Sequence, residues 1–74
     1  MHETIGGRVL KARRKAGLYQ YQLAQAARTT QSTIAKIESD KGHCHFFIMV
    51  EVARALGVSL DWLAYGDRHE KIAA

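Results

Sequence analysis

Few residues in this 74-residue chain are spaced for chemistry of their own. His43, Cys44 and His45 put three metal donors in a row. Adjacent residues rarely converge on one tetrahedral ion, and no second ligand pair stands elsewhere to complete a site. No metal and no cofactor are therefore expected. Serine, histidine and acidic residues occur without the spacing that assembles a nucleophile, a base and an orienting group, and no glycine-rich loop is present to cradle a phosphate. An enzyme is not expected. What remains is recognition chemistry in residues 20–37, QYQLAQAARTTQSTIAKI. An amide at the exposed start of a helix can pair bidentately with an adenine edge in the major groove of DNA, and a lysine one turn later reaches guanine or phosphate. Gln31 and Lys36 have that spacing, with Ser32 and Ala35 beside them. Read alone, Gln31 and Ser32 are equally ordinary helix-start residues, and Lys36 a solvated lysine.

To present those side chains, two helices must cross at a tight turn with a small residue at the crossing and apolar anchors inside. Ala24 supplies the first; Leu23, Ala27, Ile34 and Ile37 supply the second. The rest of the chain reads as helices too, because proline is absent and apolar residues recur at helical spacing. Ile5, Val9, Ala12 and Ala16 line one face of a first helix, with Thr4 as N-cap and Gly17 as stop. Thr30 caps the helix bearing Gln31. Phe46, Met49, Val50, Ala53 and Leu56 mark a fourth helix ended by Gly57. Ser59 caps a short fifth with Leu60, Trp62 and Leu63, stopped by Gly66. Gly6 and Gly7 read only as a permissive start to the first helix. The expected fold is all-α, a compact bundle of five short helices forming one domain over residues 1–66. A helix-turn-helix occupies about residues 20–39, and a polar tail that frays follows at residues 67–74.

Charge placement adds to this. Residues 1–41 carry eight Lys and Arg against three carboxylates, a net of +5, and no acidic residue lies between Glu3 and Glu38. Such a segment suits a polyanion, since each phosphate neutralised releases condensed counterions; it also describes a solvated basic face. The lone Cys44 leaves no intramolecular disulfide, which fits a reducing compartment, most simply a cytoplasm. The sequence shows neither a signal-peptide pattern nor an apolar run of transmembrane length.

Taken together, RVLKARRKAGL in the first helix, LAQ and TTQSTIAKIE in the next two, and ARALGVSLDWLAYG at the end resemble the lambda-repressor-like helix-turn-helix family. The pattern is most similar to lambdoid phage repressors and Cro proteins, without a gap over residues 5–66. The resemblance implies a transcription regulator that binds a near-palindromic double-stranded operator as a homodimer, third helix in the major groove. It implies base contacts from Gln31, Ser32 and Lys36, and backbone contacts from Gln20, Thr30, Ser39 and Lys41. It also implies an ion pair of Arg13 with Glu38 near the DNA backbone. The dimer surface is expected at Phe46, Phe47, Trp62 and Tyr65. With no second domain in sight the chain is more similar to Cro-like regulators than to full-length repressors, although it fits the N-terminal piece of one as well. The alternative is an antitoxin-type module that binds a toxin and regulates its own operon; an activator that recruits RNA polymerase is a nearer variant.

Three positions depart from the family pattern. Arg28 stands where relatives place a glycine in left-handed conformation, at a strain of roughly 1 kcal/mol; its guanidinium is a further candidate for a phosphate. Tyr19 replaces a Ser or Thr N-cap; Tyr19 and Tyr21 either pack or donate hydroxyls to phosphates. Arg14 and Lys15 either face the backbone or merely solubilise. The third departure is His43-Cys44-His45, in a loop that lies near the dimer axis in relatives.

Overall fold

The computed structural model describes residues 4–41 and 45–67. Among them are five helices: α1 (Ile5–Lys15), α2 (Gln20–Ala26), α3 (Gln31–Glu38), α4 (Phe46–Leu56) and α5 (Leu60–Tyr65). His43, Cys44 and residues 68–74, on which the metal-donor reading and most of the tail fall, lie outside the described residues.

Helix starts follow side-chain chemistry. The hydroxyls of Thr4, Thr30 and Ser59 accept from the N–H groups of Gly7, Thr33 and Trp62, each satisfying a donor that the helix itself leaves unpaired. At the head of α2 the hydroxyl of Tyr19 stands too far out for that role. There the Gln22 side chain accepts from the Tyr19 backbone N–H at 2.8 Å, the return half of a capping box.

Helices α1 to α4 all close in one way. Just past each helix an N–H bonds back five residues: Leu18 to Arg13, Thr29 to Ala24, Lys41 to Lys36, Val58 to Ala53, all at 2.9–3.1 Å. This Schellman closure requires a left-handed residue just before the returning one. Those residues are Gly17, Arg28, Asp40 and Gly57, with φ between 59° and 74°. Glycine adopts this conformation freely; Arg28 and Asp40 do so under strain. The Arg28 conformation is the one expected from the sequence, whereas that of Asp40 was not foreseen.

The core is a single buried cluster of Val9, Leu23, Ala24, Ala27, Ile34, Ile37, Val52, Ala53 and Leu63. Helix α1 packs on α3 and α5, and α4 packs across α2 and α5. Two apolar stripes are rotated from their sequence-based phase. On α1 the inner residues are Gly6, Arg8, Val9 and Ala12, while Ile5 and Ala16 are exposed. On α4 Val52 is fully buried, whereas Phe46 is 67% exposed and Val50 only half-buried. Helix α4 is apolar nearly all round, FFIMVEVARAL, so spacing alone cannot select its inner face.

Close approach of α1 to α3 explains Gly6. A Cβ there would lie 2.6 Å from the Asp40 carboxylate and closer still to the Ile37 carbonyl oxygen. Asp40 then serves α1 directly, accepting from the Gly6 N–H at 3.0 Å and from the Thr4 hydroxyl at 2.6 Å. Gly6 is thus a packing requirement rather than only a permissive start. Arg8 is also internal, 7% exposed; it donates to the Leu63 and Ala64 carbonyls at 2.6 and 2.9 Å, tying α1 to the C-terminal end of α5. No helix among the described residues is long and apolar enough to cross a membrane.

Candidate nucleic-acid interface

With Leu23, Ala24 and Ala27 of α2 and its following turn packed against Ile34 and Ile37 of α3, the opposite side of α3 faces solvent. Gln31, Ser32 and Lys36 are exposed on it, and Ala35 is half-buried between them. The three residues singled out by spacing therefore share one accessible helix face.

Behind that face runs a polar chain that fixes its orientation. Arg13 of α1 grips Glu38 of α3 through two bonds, Nε to Oε2 at 2.6 Å and Nη2 to Oε1 at 3.1 Å. Its Nη1 donates to the Leu18 carbonyl at 2.8 Å. Both side chains are nearly buried, 11% and 5% exposed. Glu38 also accepts from the Gln20 amide at 3.1 Å, and the Gln31 amide approaches the Gln20 oxygen at 3.5 Å. That last contact is long enough to be easily surrendered, leaving the Gln31 oxygen and amide for a ligand edge. The ion pair between the first and third helices is thus present, and the structure extends it through Gln20 to the residue expected to read bases.

Other candidates vary in how ready they are. Lys41 is exposed just beyond α3. Thr30 is occupied as the N-cap and meets the Thr33 hydroxyl at 3.0 Å. The Ser39 hydroxyl donates to the Lys36 carbonyl at 3.2 Å, so it must turn outward before it can donate elsewhere. Arg28 is exposed in its left-handed turn, and its charge is felt by Glu51 of α4. Glu51 is held below the usual carboxylate range, chiefly by the Arg54 guanidinium bonded to it at 2.7 Å. The same Arg54 donates to the Ala26 carbonyl at 2.8 Å, closing the end of α2. Neither the bond from Arg54 to Ala26 nor the Asp40 cap carries a local sequence signal, because each joins residues far apart in the chain.

Internal roles also trim the basic count. Arg8 sits inside the fold and Arg13 is neutralised by Glu38, which leaves Lys11, Arg14, Lys15, Arg28, Lys36 and Lys41 as the exposed cations of the N-terminal half. Of the expected dimer residues, Phe46, Phe47 and Tyr65 are 67%, 80% and 59% exposed. The two phenyl rings meet edge to face at 6.1 Å. Trp62 is half-buried against the core, its indole N–H donating to Asp67 at 3.2 Å.

Comparison with known proteins agrees with this fold. Residues 9–63 match the Helix-turn-helix family. The structure superposes on the P22 c2 repressor, solved in complex with a synthetic operator, with a TM-score of 0.85 at 23% identity, covering 89% of this chain and 100% of that one. It superposes on the N-terminal DNA-binding domain of SinR from Bacillus subtilis with a TM-score of 0.77 at 27% identity, covering 84% and 91% respectively. The chain belongs to the Helix-turn-helix family and has the fold of a lambda-repressor-like domain.

Proposed function

We propose that the protein is a sequence-specific regulator of transcription, of the phage or prophage repressor and Cro kind, that binds double-stranded DNA as a homodimer in the cytoplasm. The observation that carries this reading is the exposed row of Gln31, Ser32 and Lys36 on a helix whose orientation is fixed from behind by Arg13, Glu38 and Gln20. Placed in a major groove, α3 reads bases through Gln31, Ser32 and Lys36. Gln20, Thr30, Ser39 and Lys41 hold the backbone; Arg13 acts there by orienting Gln20 through Glu38, and Arg28 adds charge from the turn. Two copies pair through Phe46, Phe47 and Tyr65, with Trp62 supporting, so that half-sites lie about 10 bp apart on a near-palindromic operator. No cofactor and no catalytic group enter this mechanism.

Two substitutions test the division of labour. Gln31→Ala should relax selectivity at one base position by about 1–3 kcal/mol. Lys41→Ala should weaken binding to all sequences alike and lower the salt slope by about one. Equal losses on cognate and random duplexes for both variants would refute it. The exposed Phe46–Phe47 pair also suits a different protein partner. This supports the second reading, an antitoxin-type module. Sedimentation of the purified chain decides between them: a dimer at micromolar concentration favours self-pairing, a monomer the second reading.

A further inference from the structure

Between the second half of α1 and the turn that joins α4 to α5 lies an open cleft of about 670 Å³, a size that suits a small ligand. Leu56 and Val58, both half-buried, give it an apolar lining. Trp62 stands with them, also half-buried, its indole held by the bond from Nε1 to Asp67. Lys11 and Lys15 line the α1 side, one helical turn apart and both exposed. These two cations have no task in the DNA-binding reading. Arg13, two residues from each, turns inward to Glu38. The lysines therefore stand roughly 160° round the helix from it, clear of the α3 side. Lys15 meets no carboxylate among the described residues. Phe46, Phe47 and Tyr65 of the proposed pairing surface are absent from the lining.

We infer that this cleft binds a small aromatic monocarboxylate, its ring against Trp62 and its carboxylate between Lys11 and Lys15. Charge selects both the anion and its valence. Two lysines against the one aspartate leave the lining a net of one positive charge, which a single carboxylate balances. Asp67, at the indole N–H, turns that carboxylate away from itself and towards α1. Trp62 selects the ring, because aromatic pairs gain more than the area they bury. An occupant here joins α1 to the α4–α5 turn without touching α3, so ligand and duplex can be held at once.

The chain reports on this site by itself, because Trp62 is its single tryptophan. The test is a titration of the full chain with sodium phenylacetate at neutral pH and fixed ionic strength, read by tryptophan emission. Phenylacetamide and sodium acetate are the controls, one a ring without charge and the other a charge without ring. Backbone amide shifts of an isotope-labelled sample locate the binding. The expected result is a saturable emission change at millimolar phenylacetate, within reach of so small a ligand. Amide shifts should centre on Lys15, Val58 and Ser59, and neither control should match the response. Lys15→Gln alters an exposed side chain and should leave the melting temperature as it was. It should weaken phenylacetate about threefold, whereas Asp67→Asn, which keeps an acceptor for the indole, should tighten it about twofold, as exposed charges do. No saturable change, shifts confined to other residues, phenylacetamide bound as tightly as phenylacetate, or either substitution without effect would overturn the proposal. So would emission that shifts on dilution of the chain alone while phenylacetate does nothing, which would mark a second copy as the occupant. The DNA-binding reading stands apart from every one of these outcomes, since no duplex enters the titration.

Discussion

Arg28 and Asp40 hold the left-handed backbone that closes α2 and α3, where α1 and α4 use glycine for the same closure. Replacing Arg28 by glycine should relieve that strain and raise stability by about 0.5–1 kcal/mol, read as a melting temperature a few degrees higher. Asp40 differs, because its carboxylate also caps α1 through Gly6 and Thr4. The tight fit beside it makes Gly6→Ala destabilising by about 1–3 kcal/mol, since backbone must move to admit a methyl group; chemical denaturation of the variant checks this. At this scale the sequence announced what local chemistry decides. Thr4, Thr30 and Ser59 cap their helices as expected, and Gly17 and Gly57 stop theirs. Asp40 escaped notice because its role depends on a helix 34 residues away in the chain.

Between elements, the buried Arg13–Glu38 pair is the hinge of the interface. Such a pair adds little net stability over apolar replacements, but removing one member strands the other. Glu38→Ala should therefore cost about 3–5 kcal/mol in a denaturation titration. The double change Arg13→Met with Glu38→Leu should restore most of that, yet bind its preferred duplex with less selectivity, because Gln20 has lost its anchor. Recovery of stability together with full selectivity would show that the polar chain does not position the reading residues. A second junction, Arg54 between Glu51 and the Ala26 carbonyl, carries a pH signature. The Glu51 carboxyl titrates below its ordinary value because Arg54, and secondarily Arg28, favour its ionised form. Its contribution is fully present above the ordinary carboxylate pKa and disappears as pH falls through the lowered one. Glu51→Gln should flatten the acid limb of the stability profile in that window, while leaving neutral-pH binding to DNA unchanged. Helix existence and order were legible from periodicity and caps. The inner face of α4 was not, because an apolar surface nearly all round leaves several equivalent stripes and only the docking of α2 and α5 chooses Val52.

Over the whole molecule, the asymmetry of charge survives folding with fewer participants. Arg8 is drawn inward to the end of α5, and the exposed cations that remain within residues 4–41 lie on α1, on the helix-turn-helix and just beyond it. A count of charges from composition cannot make that distinction, since it depends on which arginine meets the carbonyls of Leu63 and Ala64. The core is small for the work it does, and a domain of this size has little stability in reserve. Leu63→Ala, at a fully buried position where α5 closes the bundle, should cost about 2–5 kcal/mol and leave much of the protein unfolded near body temperature; circular dichroism on heating reads this directly.

The most direct measurement is selection of bound duplexes from a randomised DNA pool by the purified chain at near-physiological salt. Enrichment of a two-fold symmetric site, with half-sites about one helical turn apart, is the result expected of a dimer that places one α3 in each of two successive major grooves. Recovery of no preferred sequence, with binding that vanishes as salt rises, would contradict it and leave only a basic surface.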